Sequence, residues 1–294
     1  MDSSLAGREY ASHLTDADLR LLASLPGAAG QAGGAGLRGD PDALLRLLEH
    51  PGLFAAVTGT GQSQVSPGWA VPASPFLVFA VFVQRAAAEL ASMDYVLEPT
   101  GLRQRVPVFD APALREFVAE PARRLFLTEL LASFTRVASG HYQVRAGGRV
   151  RTRRYSELDP VRLAGLLDAV PAAEQPGVYR RLGDAALFLT GVFPSYVTAR
   201  AFGPFDAARL LRAARLPGPE RERLSGVPAI DLLEHLGARW YRAAFELAPV
   251  RTARLTLVGD VAGRFRQARR VLNHLADRYL LPPDNPWFTP PATP

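Results

Sequence analysis

The amino-acid sequence predicts a mainly α fold, a multi-helix globular domain with one small β-hairpin at about residues 141–155. Helix-start signals recur along the chain, each a serine, threonine or aspartate followed by proline or an apolar repeat. Apolar residues follow these starts at helical spacing. With 294 residues, of which 48% are hydrophobic, the chain is long enough to bury a large core.

Several predicted helices begin at a recognisable cap. Thr15 caps a segment that reaches residue 25, and Asp40 and Ser74 each precede a proline that suits the first helical position. The helix from Ser74 is apolar on nearly every side in its first half, which indicates a central position. Further helices are predicted from residue 110 and over residues 121–139, 160–170, 176–193, 205–216, 228–247 and 261–281.

Two extended runs on either side of Gly147 and Gly148 predict the hairpin, because paired glycines suit a tight turn. Both strand faces are polar, so the hairpin must pack on a helical body to be stable. Residues 249–260 fit a helix or a short strand equally well.

Composition divides the chain into three parts. Residues 1–40 are expected to form an N-terminal helix and a flexible Gly/Ala loop over 27–39, and residues 41–281 a single helical domain. Residues 282–294 are proline-rich and are expected to be extended. Trp287 and Phe288 in this tail either pack back on the body or dock on a partner.

Composition also excludes several chemistries. The chain has neither cysteine nor lysine, which removes disulfides, thiolate metal ligands and the lysine of a P-loop or a Schiff base. No histidine has another within four residues, so no metal site is predicted. No dinucleotide-binding motif is present, and no cofactor is expected. The longest apolar run, residues 76–83, is too short to span a bilayer, so we expect a cytoplasmic protein.

The strongest functional signal is the uneven distribution of charge. The net charge is +6, and residues 121–154 alone hold eight arginines against one acidic residue. Alternation along a strand places three of these arginines on one face of the hairpin. The predicted anion- or nucleic-acid-binding residues are Arg145, Arg149, Arg151, Arg153 and Arg154.

Two interpretations of this basic segment stay open. In the first, it binds the phosphates of a nucleic acid, or an acidic protein surface, with Tyr142 and Tyr155 placed to stack and the arginines at 264, 266, 269, 270 and 278 adding charge. In the second, it is a surface hairpin that pairs with residues 1–120, which carry a net charge of −5.

Five other residues indicate a rival function, a helical enzyme that acts on an anionic small molecule. Asp184 on an apolar helix is a candidate acid or base. Glu129 and Arg136 lie on one polar helix stripe, and Asp231 lies four residues before His235, where it can orient a general base. Each also has a structural interpretation, as an ion pair that fixes helix packing or as part of a solvated helix face.

Two segments resemble a family of uncharacterised proteins from high-GC bacteria. They are residues 103–110, with the sequence RQRVPVFD, and residues 180–194, with the sequence RRLGDAALFLTGVFP. The resemblance extends over most of residues 70–280. No activity is assigned in that family, so it implies no catalytic residue.

The sequence therefore favours a non-enzymatic binding or regulatory module with a nucleic acid or an acidic protein as its partner, and leaves the helical enzyme as the alternative.

Overall fold

The computed structural model describes residues 3–26, 33–59, 73–101, 104–146, 149–198, 204–214 and 216–281. The fold is mainly α with small antiparallel hairpins, which confirms the predicted class. The chain groups into two compact units. Unit 1 comprises residues 1–94 and 111–135, and unit 2 comprises residues 95–110 and 136–294. The domain boundary expected at residue 40 therefore falls inside unit 1, where the N-terminal helix packs on the helix that follows Asp40.

In the described part of unit 1 the regular elements are helices. They are α1 (Ser3–His13), α2 (Asp16–Ala23), α3 (Gly33–Gly39), α4 (Pro41–Leu48), α5 (Pro51–Thr58), α6 (Pro75–Leu90), α7 (Ala111–Ala119) and α8 (Pro121–Ser133). The core collects leucines from α2, α4 and α5 around Tyr10 and the apolar start of α6. The apolar first half of α6 is thus part of this core, which agrees with the central position predicted for the helix. No helix in the described part of the chain is long and apolar enough to cross a membrane.

The expectation of a loop over residues 27–39 is wrong for its second half, since α3 occupies Gly33–Gly39. Residues 27–32 lie outside the described residues. Leu37 is fully buried, and a Cβ added to Gly34 would lie 3.0 Å from Leu19 Cβ, so this glycine lets α3 approach α2 closely. Burial of one leucine and close helix contact outweigh the low helix propensity of a glycine-rich segment.

A buried carboxylate ties two helix starts of unit 1 together. Asp18 is fully buried, and its Oδ2 accepts hydrogen bonds from the Thr15 backbone N–H at 2.9 Å and the Thr15 hydroxyl at 2.7 Å. Its Oδ1 accepts the Ser74 N–H at 2.8 Å. Thr15 is the N-cap of α2, and Ser74 is the N-cap of α6. One side chain therefore fixes the start of α6 relative to α2.

We expect Asp18→Ala to lower the free energy of unfolding by about 3 kcal/mol, because three donors lose a charged acceptor in a buried site. Asp16→Ala removes the other acid of the same helical turn, and its side chain is 86% exposed beside Arg38. Its effect should stay below about 1 kcal/mol. Urea unfolding followed by circular dichroism checks both, and equal losses would contradict the role given to Asp18.

Unit 2 combines two hairpins with a helical body. The strands are β1 (Val96–Gly101), β2 (Gln104–Val108), β3 (Ser139–Ala146) and β4 (Arg149–Ser156). The helices are α9 (Pro160–Ala164), a 3₁₀ turn (Gly165–Asp168), α10 (Gln175–Val192), α11 (Pro194–Tyr196), α12 (Pro204–Ala213), α13 (Gly218–Leu224), α14 (Ala229–Leu247), α15 (Ala253–Gly263), α16 (Phe265–Leu275) and a π-helical turn (Ala276–Leu280).

One helix end and one hairpin differ from the sequence prediction, and one segment that the prediction left open takes a defined structure. The helix predicted over 121–139 ends at Ser133, and β3 begins at Ser139. The open segment 249–260 is helical from Ala253, because the Thr252 hydroxyl accepts the Leu255 N–H as an N-cap. The hairpin of β1 and β2 was not predicted at all. The proline-rich tail, with Trp287 and Phe288, lies outside the described residues.

The core of unit 2 forms where α10 packs against α14. A Cβ on Gly183 of α10 would lie 2.9 Å from Tyr241 Cγ, and one on Gly237 of α14 would lie 3.0 Å from Ala186 Cβ. Trp240 is 1% exposed beside this contact on α14. The small-residue face of α10 therefore brings the two helices together.

Candidate functional site

The hairpin of β3 and β4 has the alternation of arginines along β4 that the sequence predicts. Arg149, Arg151 and Arg153 occupy alternate positions of β4, and the register pairs Arg151 with Val144 and Arg153 with Tyr142. Alternate positions of a strand share a face. The side chains of Arg151 and Arg153 are exposed, as is that of Arg154. The side chains predicted to bind anions at Arg145 and Arg149 lie outside the described residues.

The base of the hairpin packs on the helical body, as its polar faces require. Tyr142 lies against Gly165, the first residue of the 3₁₀ turn, so closely that a Cβ there would collide with the phenol hydroxyl. The Tyr155 ring covers Gly140, and its centroid lies 6.4 Å from that of Tyr142. Both rings are half-buried, so their first role is to hold the hairpin in place.

A cavity of about 340 Å³ lies beside the base of the hairpin, and more arginines than acids line it. Arg153 comes from β4, and Arg209 and Arg212 come from α12. Asp168 contributes the carboxylate. Three arginines against one aspartate give this cavity a positive excess, which suits an anionic group.

A neighbouring cavity of about 240 Å³ has a different balance of charged residues in its lining. It shares Arg209 with the first cavity, and its other charged lining residues form local pairs. Arg162 Nε lies 3.0 Å from Asp159 Oδ2, and Arg209 NH1 lies 3.8 Å from Asp206 Oδ1. Arginines and acids balance here, with two of each, whereas three arginines and one aspartate line the cavity beside Arg153.

Asp184 takes the structural role rather than that of an open acid or base. It is 8% exposed, and the Tyr241 hydroxyl donates to its Oδ1 at 2.8 Å. Arg181 NH1 lies 3.8 Å from its Oδ2, and the same guanidinium donates to Glu157 at 2.8 Å. Burial and the adjacent carboxylate raise the pKa of Tyr241 well above its usual value. Asp184 therefore joins α10 to α14 inside the core.

The other residues of the predicted enzyme pocket have contacts of their own. Glu129 belongs to unit 1, where its Oε1 lies 2.9 Å from His13 Nε2. Arg136 is exposed in unit 2. His235 Nε2 lies 3.0 Å from Glu220 Oε1, and this hydrogen bond lowers the pKa of Glu220.

His235 also does not join Asp184 at a common site. It precedes Tyr241, the partner of Asp184, by six residues, which is roughly 9 Å along α14. Its partner is Glu220 and not the predicted Asp231. The described contacts of unit 2 thus give Asp184 and His235 separate partners.

The arginines of α16, three of the five suggested to add to the basic surface, are paired with carboxylates. Arg269 is 2% exposed and donates to Glu234 at 2.8 Å and to Glu98. Arg266 donates to Glu234 at 2.7 Å, and Arg270 donates to Glu98 at 2.7 Å and to Asp110. The three carboxylates of Glu98, Glu234 and Asp110 therefore balance the three guanidinium groups of this helix. Glu98 is the one charged residue of β1, and no spacing pattern in the sequence links it to α16.

Comparison with protein-family models, with curated proteins and with solved structures found no match.

Proposed function

We propose that unit 2 binds a polyanion, a nucleic acid in its most specific form, through the arginine face of the hairpin and the cavity at its base. One observation carries the proposal. Residues 139–156 contain five arginines and no acidic residue, and the described arginine side chains Arg151, Arg153 and Arg154 are exposed. No described carboxylate of unit 2 forms an ion pair with these three, and Asp168 is the one acid in the lining of the cavity that Arg153 shares.

The shape of the surface supports a phosphate backbone as the ligand. Arg153 belongs both to the exposed strand face and to the lining of the cavity that holds Arg209 and Arg212. One guanidinium group can donate two parallel hydrogen bonds to the oxygens of a phosphate, and it stays charged at every physiological pH. Alternate positions along β4 are about 7 Å apart, which is close to the phosphate spacing of an extended single strand.

The test is fluorescence anisotropy with labelled single- and double-stranded oligonucleotides over a range of salt concentrations. We expect affinity to fall steeply between about 50 and 200 mM salt, because binding releases condensed counterions. The slope of log K against log salt is negative, and each phosphate of duplex DNA that the protein neutralises makes it steeper by roughly 0.9. Arg149→Ala/Arg151→Ala/Arg153→Ala should therefore make the slope shallower by about 2–3.

A control variant removes the same charge from other surfaces of unit 2. Arg221, Arg223 and Arg242 are exposed on α13 and α14, and their triple replacement by alanine should leave most of the affinity intact. Wild-type affinity that is equal at low and high salt would exclude a polyanion. An equal loss in both triple variants would mean that only net charge matters and would refute the hairpin as the site. Binding to polyglutamate but not to oligonucleotides would identify an acidic protein surface instead.

A further inference from the structure

A cluster of possible metal ligands lies in unit 1, apart from the basic hairpin. Glu9 and His13 are four residues apart on α1, so they share one face of that helix. Glu129 of α8 meets them there, and one ligand atom from each of the three residues lies within 4.8 Å of the others. His13 Nε2 is 2.9 Å from Glu129 Oε1. The three donors thus converge on one point from two helices.

The fold holds these side chains in place before any ligand arrives. Tyr10, between Glu9 and His13, is fully buried and fixes the rotation of α1. The His13 ring stacks on Phe76 with a centroid distance of 4.6 Å and an interplanar angle of 24°. Thr128 and Leu130, the neighbours of Glu129, are buried and fix α8. The His13 side chain is 34% exposed and that of Glu129 16%, so an ion from solvent can reach the cluster.

We propose that Glu9, His13 and Glu129 bind one divalent transition-metal ion of the Zn²⁺ or Mn²⁺ type. Imidazole nitrogen favours such ions over Mg²⁺ and Ca²⁺, which prefer oxygen ligands only. The two carboxylates balance the charge of the ion. Zinc binds ligands at about 2.0–2.2 Å, which separates tetrahedral donors by roughly 3.4 Å. Small side-chain movements within the cluster reach that spacing.

Three protein ligands also leave a coordination position for water, as in zinc sites that carry out chemistry. The ion would in addition join α1 to α8. Metal binding should therefore stabilise unit 1 against unfolding.

The experiment is isothermal titration of the full chain, without a polyhistidine tag, with ZnCl₂ and separately with MnCl₂. We expect one equivalent to bind, and binding to weaken on acidification because a ligating imidazole must be neutral. His13→Gln and Glu129→Gln should each weaken binding at least about tenfold. Glu49→Gln removes a carboxylate of unit 1 that is 51% exposed and pairs with Arg124, and it should bind as the wild type does.

Glu129→Gln changes a residue of α8, a largely buried helix, and this variant can misfold. Glu9→Gln then tests the same metal site through a residue of α1. Glu9 is half-buried and lies on α1, so its replacement should weaken binding while circular dichroism stays unchanged. Thermal unfolding should shift upward with Zn²⁺ in the wild type and not in His13→Gln. The proposal is overturned if the wild type binds no ion, if the ligand variants retain its affinity, or if Glu49→Gln loses as much as they do.

Discussion

Replacing Arg269 with alanine is expected to destabilise unit 2 by about 3–5 kcal/mol, the range seen when one member of a buried ion pair is removed. The Arg269 side chain is 3% exposed, and its loss leaves the Glu98 and Glu234 carboxylates, 15% and 11% exposed, without their buried partner. Asn273 also loses a donor at 3.1 Å. Burial alone would raise the pKa of Glu98, but Arg269 and Arg270 lower it, so these guanidinium groups keep that carboxylate charged.

Arg266→Ala is the matched control, because Arg266 donates to the same Glu234 carboxylate but its side chain is 57% exposed. Its expected effect is about 0–1 kcal/mol, as for other solvated ion pairs. Urea unfolding monitored by Trp240 fluorescence, with Trp69 and Trp287 replaced by phenylalanine, reports on unit 2. Equal losses in Arg266→Ala and Arg269→Ala would show that the network is not held together at Arg269.

The second large effect is expected at the contact between α10 and α14. A methyl group at Gly183 collides with the Tyr241 ring, whose hydroxyl is held by Asp184, so the ring cannot move aside without breaking a buried hydrogen bond. We expect Gly183→Ala to be less stable than Gly177→Ala by about 1–3 kcal/mol, the usual range for an overpacked core.

Gly177 is the matched position because it lies on the same helix with no atom within 4 Å of an added Cβ. Both variants gain the helix propensity of alanine, so their difference measures the collision alone. The same fluorescence-monitored unfolding compares them. A Gly183→Ala protein as stable as Gly177→Ala would mean that the helix contact at Tyr241 is looser than the structure indicates.

Local chemistry was enough to predict most of the helices. Proline after Asp40, Ser74 and Asp159 marked correct helix starts, since N-caps and proline act within one turn of the residue itself. The hairpin at 139–156 and its strand alternation were also predictable, because a Gly-Gly turn and a two-residue period are local signals.

Sequence alone placed the arginines of the candidate site on β4, but not the cavity that Arg153 shares with Arg209 and Arg212. The cavity depends on α12 packing near β4 through α9, and no short-range pattern records that contact. For the same reason the sequence did not reveal that the arginines of α16 pair with carboxylates. Glu98, the partner of Arg269 and Arg270, precedes them in the chain by 171 and 172 residues.

Composition and near-neighbour spacing were sufficient to establish the mainly α class, the basic hairpin and the absence of cysteine and lysine chemistry. The packing of the chain decided which charges are neutralised and which remain exposed. The reason is that these ion pairs form between residues that are distant in sequence. Packing buried Arg269 and Asp184 among partners and left Arg151 and Arg153 in solvent. It also brought Glu129 to His13 across 116 residues, which no spacing rule detects.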